Sequence, residues 1–174
     1  MKTLSQELGV GSVLNNELIG RAESNRANRY SVVTIVSSAF YNLNEKLKSV
    51  GHEDLSGLVV ASGWIEGLYL ATRELEGSSD NFKKLIAEQK MILVDVMSLI
   101  ESYKESPALE AMINNLQPVV TAFEGVTYGE SAEVTAKKKD GAIYIGGGNE
   151  YFADENTIQA ITSSITTLRN NLVK

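Results

Sequence analysis

From residue 30 onward the apolar positions of this chain recur every three or four residues. Val32, Val33, Val36, Phe40, Leu43 and Leu47 form the first such run, which predicts a helix closed by Gly51. Residues 55–75, LSGLVVASGWIEGLYLATREL, form the second. Between Leu55 and Thr72 this stretch carries a single charge, Glu66, and its apolar residues spread round the helical wheel. Leu58, Ile65 and Tyr69 lie together, with Val59 and Leu70 beside them. Trp64, Leu68 and Leu75 take the other flank, and Gly63, Gly67 and Ala71 make a ridge of small residues. A helix apolar on every side is a buried helix. This segment is therefore expected at the centre, with the rest of the protein packed round it and the glycine ridge in close contact with a neighbour. His52-Glu53-Asp54 opens it with acid at its positive end, and Gly77 closes it.

The remaining runs fill in the architecture. Residues 2–8 predict a short helix before a Gly9-Val10-Gly11 turn, and Ser12 is a fair N-cap for a second one carrying Val13, Leu14, Leu18 and Ile19. Polarity rises over residues 21–29, as a break or as a solvated helical turn. Ser78, Ser79 and Asp80 offer N-caps to a helix with Phe82, Leu85, Ile86, Leu93, Val96, Leu99, Ile100 and Tyr103 on one face. Ser106-Pro107 restarts the helical period, and Leu109, Met112, Ile113, Leu116, Val119, Val120 and Phe123 continue it. Pro118 inside this run predicts a kink, because it has no N–H to donate.

After Gly125 the period changes from helical to alternating. Residues 133–145 read as a hairpin about Asp140-Gly141, pairing Lys139 with Ala142, Lys138 with Ile143 and Ala136 with Ile145. That register puts Val134, Ala136, Ile143 and Ile145 on one face, expected against the helices, and Tyr144 on the other beside Lys137. Gly146-Gly147-Gly148 is expected to end the second strand. From about Asp154, Ile158, Ile161, Ile165, Leu168 and Leu172 make a narrow helical seam. The reading is a mainly α single domain over residues 1–174. It is an antiparallel bundle of about five long helices with one β-hairpin, at about 132–146, before the C-terminal helix.

Composition changes this picture little. The 174 residues are 43% hydrophobic and 22% charged, as in an ordinary globular protein. The net charge of -6 argues against nucleic acid, which needs a basic face, and against an anionic membrane surface. There is no cysteine and only one histidine, His52, which alone builds no zinc site. Residues 1–15 lack the pattern of a signal peptide. The 18 residues from Leu55 to Thr72 approach the shortest membrane span, but three glycines, two serines and Glu66 make a core helix the better reading.

Motifs for chemistry are weak. The triple glycine is followed by Asn149-Glu150-Tyr151 rather than the lysine and hydroxyl of a phosphate loop. The Glu-x-x-His pairs of di-metal bundles and the alternating acids of a calcium loop are missing. His52 lies in a polar turn, where a surface role outweighs a catalytic one. Lys137-Lys138-Lys139 reads most simply as a solvated turn that could touch an acidic partner. No cofactor and no metal site is expected.

Glu66 is the exception. A carboxylate on an apolar helix needs a cation or several donors. Arg73, two turns on, and Arg21, Arg26 and Arg29 are the candidates in sequence. Glu66 is expected to be mostly buried and paired, with Glu66→Ala costing roughly 3–5 kcal/mol. A ligand site would draw on Trp64, Glu66, Tyr69 and Arg73.

The run Ser62-Gly63-Trp64-Ile65-Glu66-Gly67-Leu68-Tyr69 resembles the GGWIEGLY core of a family of secreted or lipid-anchored helical proteins from Bacteroidetes-type bacteria, a family without a known activity. Leu8-Gly9-Val10 and Asn25-Arg26-Ala27-Asn28-Arg29-Tyr30-Ser31 are similar to other segments of it, so the likeness covers about residues 5–76. It implies a periplasmic or cell-surface location, although that family's usual signal peptide and anchor cysteine are missing, which suggests a shortened chain. The function expected is a non-enzymatic cell-envelope module that binds a partner protein or a small ligand. The alternative is an enzyme of unfamiliar type using Glu66 as general acid or base.

Overall fold

Three of the helices begin with a side chain that takes up a free backbone N–H. Asn15 accepts from Leu18 N at 2.9 Å, Asn28 from Ser31 N at 3.0 Å and Asp154 from Thr157 N at 2.7 Å. These caps fix the starts of α1 (Asn16–Ser24), α2 (Arg29–Ser49) and α6 (Glu155–Leu172) in the computed structural model, which describes residues 6–73, 80–139 and 142–173. Between them run α3 (Glu53–Arg73), α4 (Asp80–Glu101), α5 (Pro107–Phe123), β1 (Thr127–Lys139) and β2 (Ala142–Phe152). Among the described residues the chain is thus mainly helical, with a two-stranded antiparallel hairpin before the last helix. The polar stretch 21–29 is helical up to Ser24 and broken only over residues 25–28, and the second short helix is capped by Asn15 rather than Ser12. The expected stop at Gly77, the caps at Ser78 and Ser79, the turn at Asp140-Gly141 and most of the expected helix over residues 2–8 lie outside the described residues.

The chain divides after Val59, within α3, into two compact units, Met1–Val59 and Val60–Lys174. In the first, α1 packs on α2. Val10, Leu43 and Leu47 form a small core, covered by Leu8, Val13, Leu55 and Val59. Gly51 ends α2 at φ 79°, a left-handed conformation that suits glycine, and the next residue, His52, donates its N–H to Leu47 O at 2.9 Å. Only Ile35, Leu43 and Leu47 of α2 are buried. Val33, Val36 and Phe40, which share the helical period with them, are exposed.

In the second unit α5 packs against both α4 and α6. Its buried residues, Leu109, Met112, Leu116, Val119 and Phe123, follow the expected helical seam, and the helix runs on through Pro118. Ile158, Ile161, Ile165 and Leu168 of α6 are buried likewise, and only Leu172 of that seam is exposed.

The reading of α3 as buried all round is corrected. Ser56, Gly57, Ala61, Ile65, Leu68 and Thr72 are buried, a single stripe at helical spacing. Ser62, Gly67, Leu70 and Arg73 are exposed, Leu70 by 55%. A Cβ at Gly67 would meet nothing within 4 Å, so Gly67 makes no close helix contact. Among the described residues α3 is the one helix long and apolar enough to cross a membrane, a weak signal that core helices also give.

The hairpin keeps the expected register, with Lys139 opposite Ala142, Lys138 opposite Ile143, Lys137 opposite Tyr144 and Ala136 opposite Ile145. It is longer than expected. Gly146-Gly147-Gly148 do not end β2, which continues to Phe152. Register shifts between Glu130 and Ala132 and between Ala132 and Thr135 place extra β1 residues opposite this glycine segment. Opposite them Gly147 at φ 86° and Gly148 at φ 101° take a left-handed backbone that glycine adopts without steric cost. The expected packing of the apolar face fails: Val134, Ala136 and Ile143 are exposed. The ribbon is held near its base, where β2 meets α4 and Lys84 pairs with Glu150 at 2.7 Å.

Two tests follow from the packing. Ile65→Ala should cost about 2–5 kcal/mol in urea unfolding as a core truncation, whereas Gly67→Ala should add about 0.5–1 kcal/mol, since it removes a flexible residue from an exposed helix interior. A loss of stability in Gly67→Ala would restore the close-contact reading.

Asp154 gives a test in pH. Hydrogen bonds from the Thr157 side chain, and then from its backbone, hold the Asp154 carboxyl below its ordinary value of 3.8. A carboxyl lowered in the folded state stabilises the fold above its unfolded value, and that contribution is lost as pH falls through the lower folded value. Thermal melts carried down through this range should show the acid-side loss in the wild type, and less of it in Asp154→Asn, which keeps a cap without titrating.

Candidate functional site

α3 presents Trp64, Glu66, Tyr69 and Arg73, and the fold treats them differently. Glu66 and Tyr69 are three residues apart and so neighbours on one helix face. Arg169, from the last turn of α6, reaches both. Its Nε donates to Glu66 Oε2 at 3.1 Å and its Nη2 to Glu66 Oε1 at 3.5 Å. The guanidinium carbon stands 4.9 Å from the centroid of the Tyr69 ring, within range of a cation–π contact. The hydrogen bond that Arg169 donates to Glu66 raises Arg169 above its ordinary value; burial opposes this, and the charges of Glu66 and Tyr69 add to it.

Glu66 is thus hydrogen-bonded to an arginine, as expected, but to Arg169 rather than to Arg73, Arg21, Arg26 or Arg29. It is not mostly buried either: its side chain is 44% exposed and that of Arg169 is 30%. The correction has a plain cause. The α3 face carrying Glu66 borders the buried stripe rather than lying in it, so the carboxylate keeps water as well as a partner. Trp64 donates from Nε1 to Gln89 Oε1 of α4 at 3.2 Å, and its ring stands 6.4 Å from that of Phe123 of α5. Arg73, in the last turn of α3, is exposed. The structure therefore joins Glu66 and Tyr69 through Arg169, ties Trp64 to Gln89 and Phe123, and leaves Arg73 at the surface. Among the described residues no three His, Asp or Glu side chains converge as metal ligands would.

A second place has more of the shape of a binding site. Between α1 and α2, within the first unit, lies an open groove of about 320 Å³. Leu14, Leu18, Ile19, Ala22, Ile35, Val36, Ala39, Phe40 and Leu43 line it, with Glu23 as its one charged residue. Leu14, Ile19, Val36 and Phe40 are large apolar side chains left exposed there. Leu18, Ile35 and Ala39 also line an adjoining polar cleft of about 260 Å³, which brings in Ser12, Asn15, Glu17, Arg21, Ser38 and Asn42. An apolar slot beside a few polar groups is the usual make-up of a small-ligand site. In the sequence Val36 and Phe40 appear only as members of a helical period, and nothing in that pattern marks the missing cover.

Compared with protein families, curated proteins and solved structures, the chain matches none.

The exposure of the Glu66–Arg169 pair sets the size of its effect. Half-exposed ion pairs contribute little, because water screens them. Glu66→Ala should lower the melting temperature by less than about 4 °C, and Glu66→Gln by less still. A drop several times larger would mean that the carboxylate is enclosed after all.

Proposed function

We propose that this chain is a non-enzymatic module of the bacterial cell envelope, and that it binds an apolar ligand or an apolar segment of a partner protein in the groove between α1 and α2. The observation that carries this reading is the exposed aliphatic and aromatic lining of the groove, Leu14, Ile19, Val36 and Phe40. Large apolar side chains gathered on one surface cost free energy in water, and a ligand that covers them returns it. The adjoining polar cleft gives such a ligand's polar end Glu17, Arg21, Asn15 and Asn42 to meet. The envelope location rests on the resemblance of residues 62–69 to the secreted helical family.

The competing reading makes Glu66 a general acid or base. Both Glu66 oxygens accept from Arg169, which favours a packing role for this carboxylate over proton transfer. Trp64, tied to Gln89, and Tyr69, under Arg169, fit that role too.

Anilinonaphthalenesulfonate, an apolar dye with one anionic end, tests the groove. The wild type should enhance its fluorescence saturably. Ile19→Glu and Phe40→Glu together should abolish the enhancement and leave the helical circular dichroism unchanged. Undiminished enhancement in the double variant would place the binding surface elsewhere.

A further inference from the structure

Three consecutive glycines, 146–148, stand inside β2, where they weaken a strand. On the facing strand the five steps from Glu130 to Thr135 lie opposite only three, from Asn149 to Gly146. β1 thus carries two residues too many for a regular ladder there, and such residues are left out of the pairing. Gly148 lies opposite Ala132 and Gly146 opposite Thr135. A glycine offers no side chain to the cross-strand pairs that stabilise a ribbon. Gly147 and Gly148 are also at positive φ, away from extended backbone. One bulge is enough to spoil an open strand edge for unwanted pairing. Two within five steps, facing three glycines, weaken both the hydrogen bonds and the side-chain contacts that make a ribbon stiff.

On either side of this stretch the ladder is regular. Thr127 to Glu130 pair with Phe152 to Asn149, and Thr135 to Lys139 pair with Gly146 to Ala142. The inner part is fastened. Glu150 pairs with Lys84 of α4 at 2.7 Å, and the rings of Tyr128 and Tyr151 stand 4.8 Å apart. Thr135, Ala136, Lys138 and Ile143, the described side chains of the outer part, are all exposed. A segment with few buried contacts and a solvated ladder is one that can move against its host. We propose that residues 146–148 and the bulged stretch 131–134 opposite them form a joint. The outer ribbon swings on it as one piece, while the inner ribbon stays with α4. The motion belongs to the nanosecond-to-microsecond range of surface segments. This goes beyond the groove reading and does not depend on it.

The chain has no cysteine, so pairs of spin labels can be placed on introduced ones. One label goes on α5, at Asn114→Cys. The second goes on the inner side of the joint, at Glu130→Cys, or beyond it, at Lys138→Cys. All three positions are exposed. Lys138 lies three residues past Thr135, about 10 Å of strand, so a swing of about 30° carries it about 5 Å. Pulsed electron–electron distance measurements should therefore give a distribution about 5 Å wider for the Lys138 pair than for the Glu130 pair. Deleting Ser131 and Val134 leaves three steps on each strand between Glu130 and Thr135. In that variant the Lys138 distribution should narrow to the width of the Glu130 one. Circular dichroism checks that the helices persist in each variant. Equal widths in the undeleted chain would overturn the proposal, because the ribbon would then be one piece from root to tip. A wide Lys138 distribution that the deletion leaves unchanged would overturn it too, because the motion would then arise elsewhere.

Discussion

The unit Val60–Lys174 depends on the buried face of α5. Leu109, Met112, Leu116, Val119 and Phe123 alternate at spacings of three and four, and Leu109, Leu116 and Val119 have no exposed surface. This one stripe meets α4 on one side and α6 on the other, and Phe123 adds the ring of Trp64 from α3. Burying five such side chains is worth about 10 kcal/mol, as much as the whole net stability of an ordinary domain. No polar contact in the unit approaches that. Lys83 with Glu155, Lys84 with Glu150 and Arg169 with Glu66 fix how the elements sit, while apolar burial holds them together.

The seams of α5 and α6 were legible because each is narrow: apolar residues at one angle, polar ones elsewhere. α3 was misplaced because its apolar residues were counted rather than weighed by area. Gly63, Gly67 and Ala71 carry little or no side chain, so leaving Gly67 in water forfeits almost nothing. The buried stripe is set by Ala61, Ile65 and Leu68, and a wheel filled with small residues does not reveal it. Leu70 is the real anomaly, a large apolar side chain left 55% exposed.

The hairpin divides the same way between local and distant causes. Its register is the one read from the dipeptide Asp140-Gly141 and a period of two, both local in sequence, and Ala136 opposite Ile145 is what they require. Whether the apolar face is covered depends on where the helices end in space, which alternation does not encode. The partner of Glu66 is likewise out of local reach. Arg169 stands 103 residues further on, so a search among nearby arginines fails although the need for an arginine is correctly read. The bulges were hidden by the glycines themselves, which read as a strand's end when taken as loop formers and as a strand's bend only once β1 is seen to run opposite them.

α2 carries this argument into function. Leu43 and Leu47 are buried with Val10 and flanked by Leu55 and Val59, while Val36 and Phe40, on nearly the same helical angle one and two turns earlier, line an open groove with Leu14 and Ile19. The period cannot separate the two halves, because it describes one helix and not what lies across from it. The groove's walls have defined ends. α1 is capped by Asn15, α2 by Asn28, and α2 is closed by Gly51. α1 itself buries no residue, so a helix this short draws its stability from what packs on it. In the proposed reading a ligand filling the groove adds apolar contacts to both walls, and binding and the order of α1 reinforce each other.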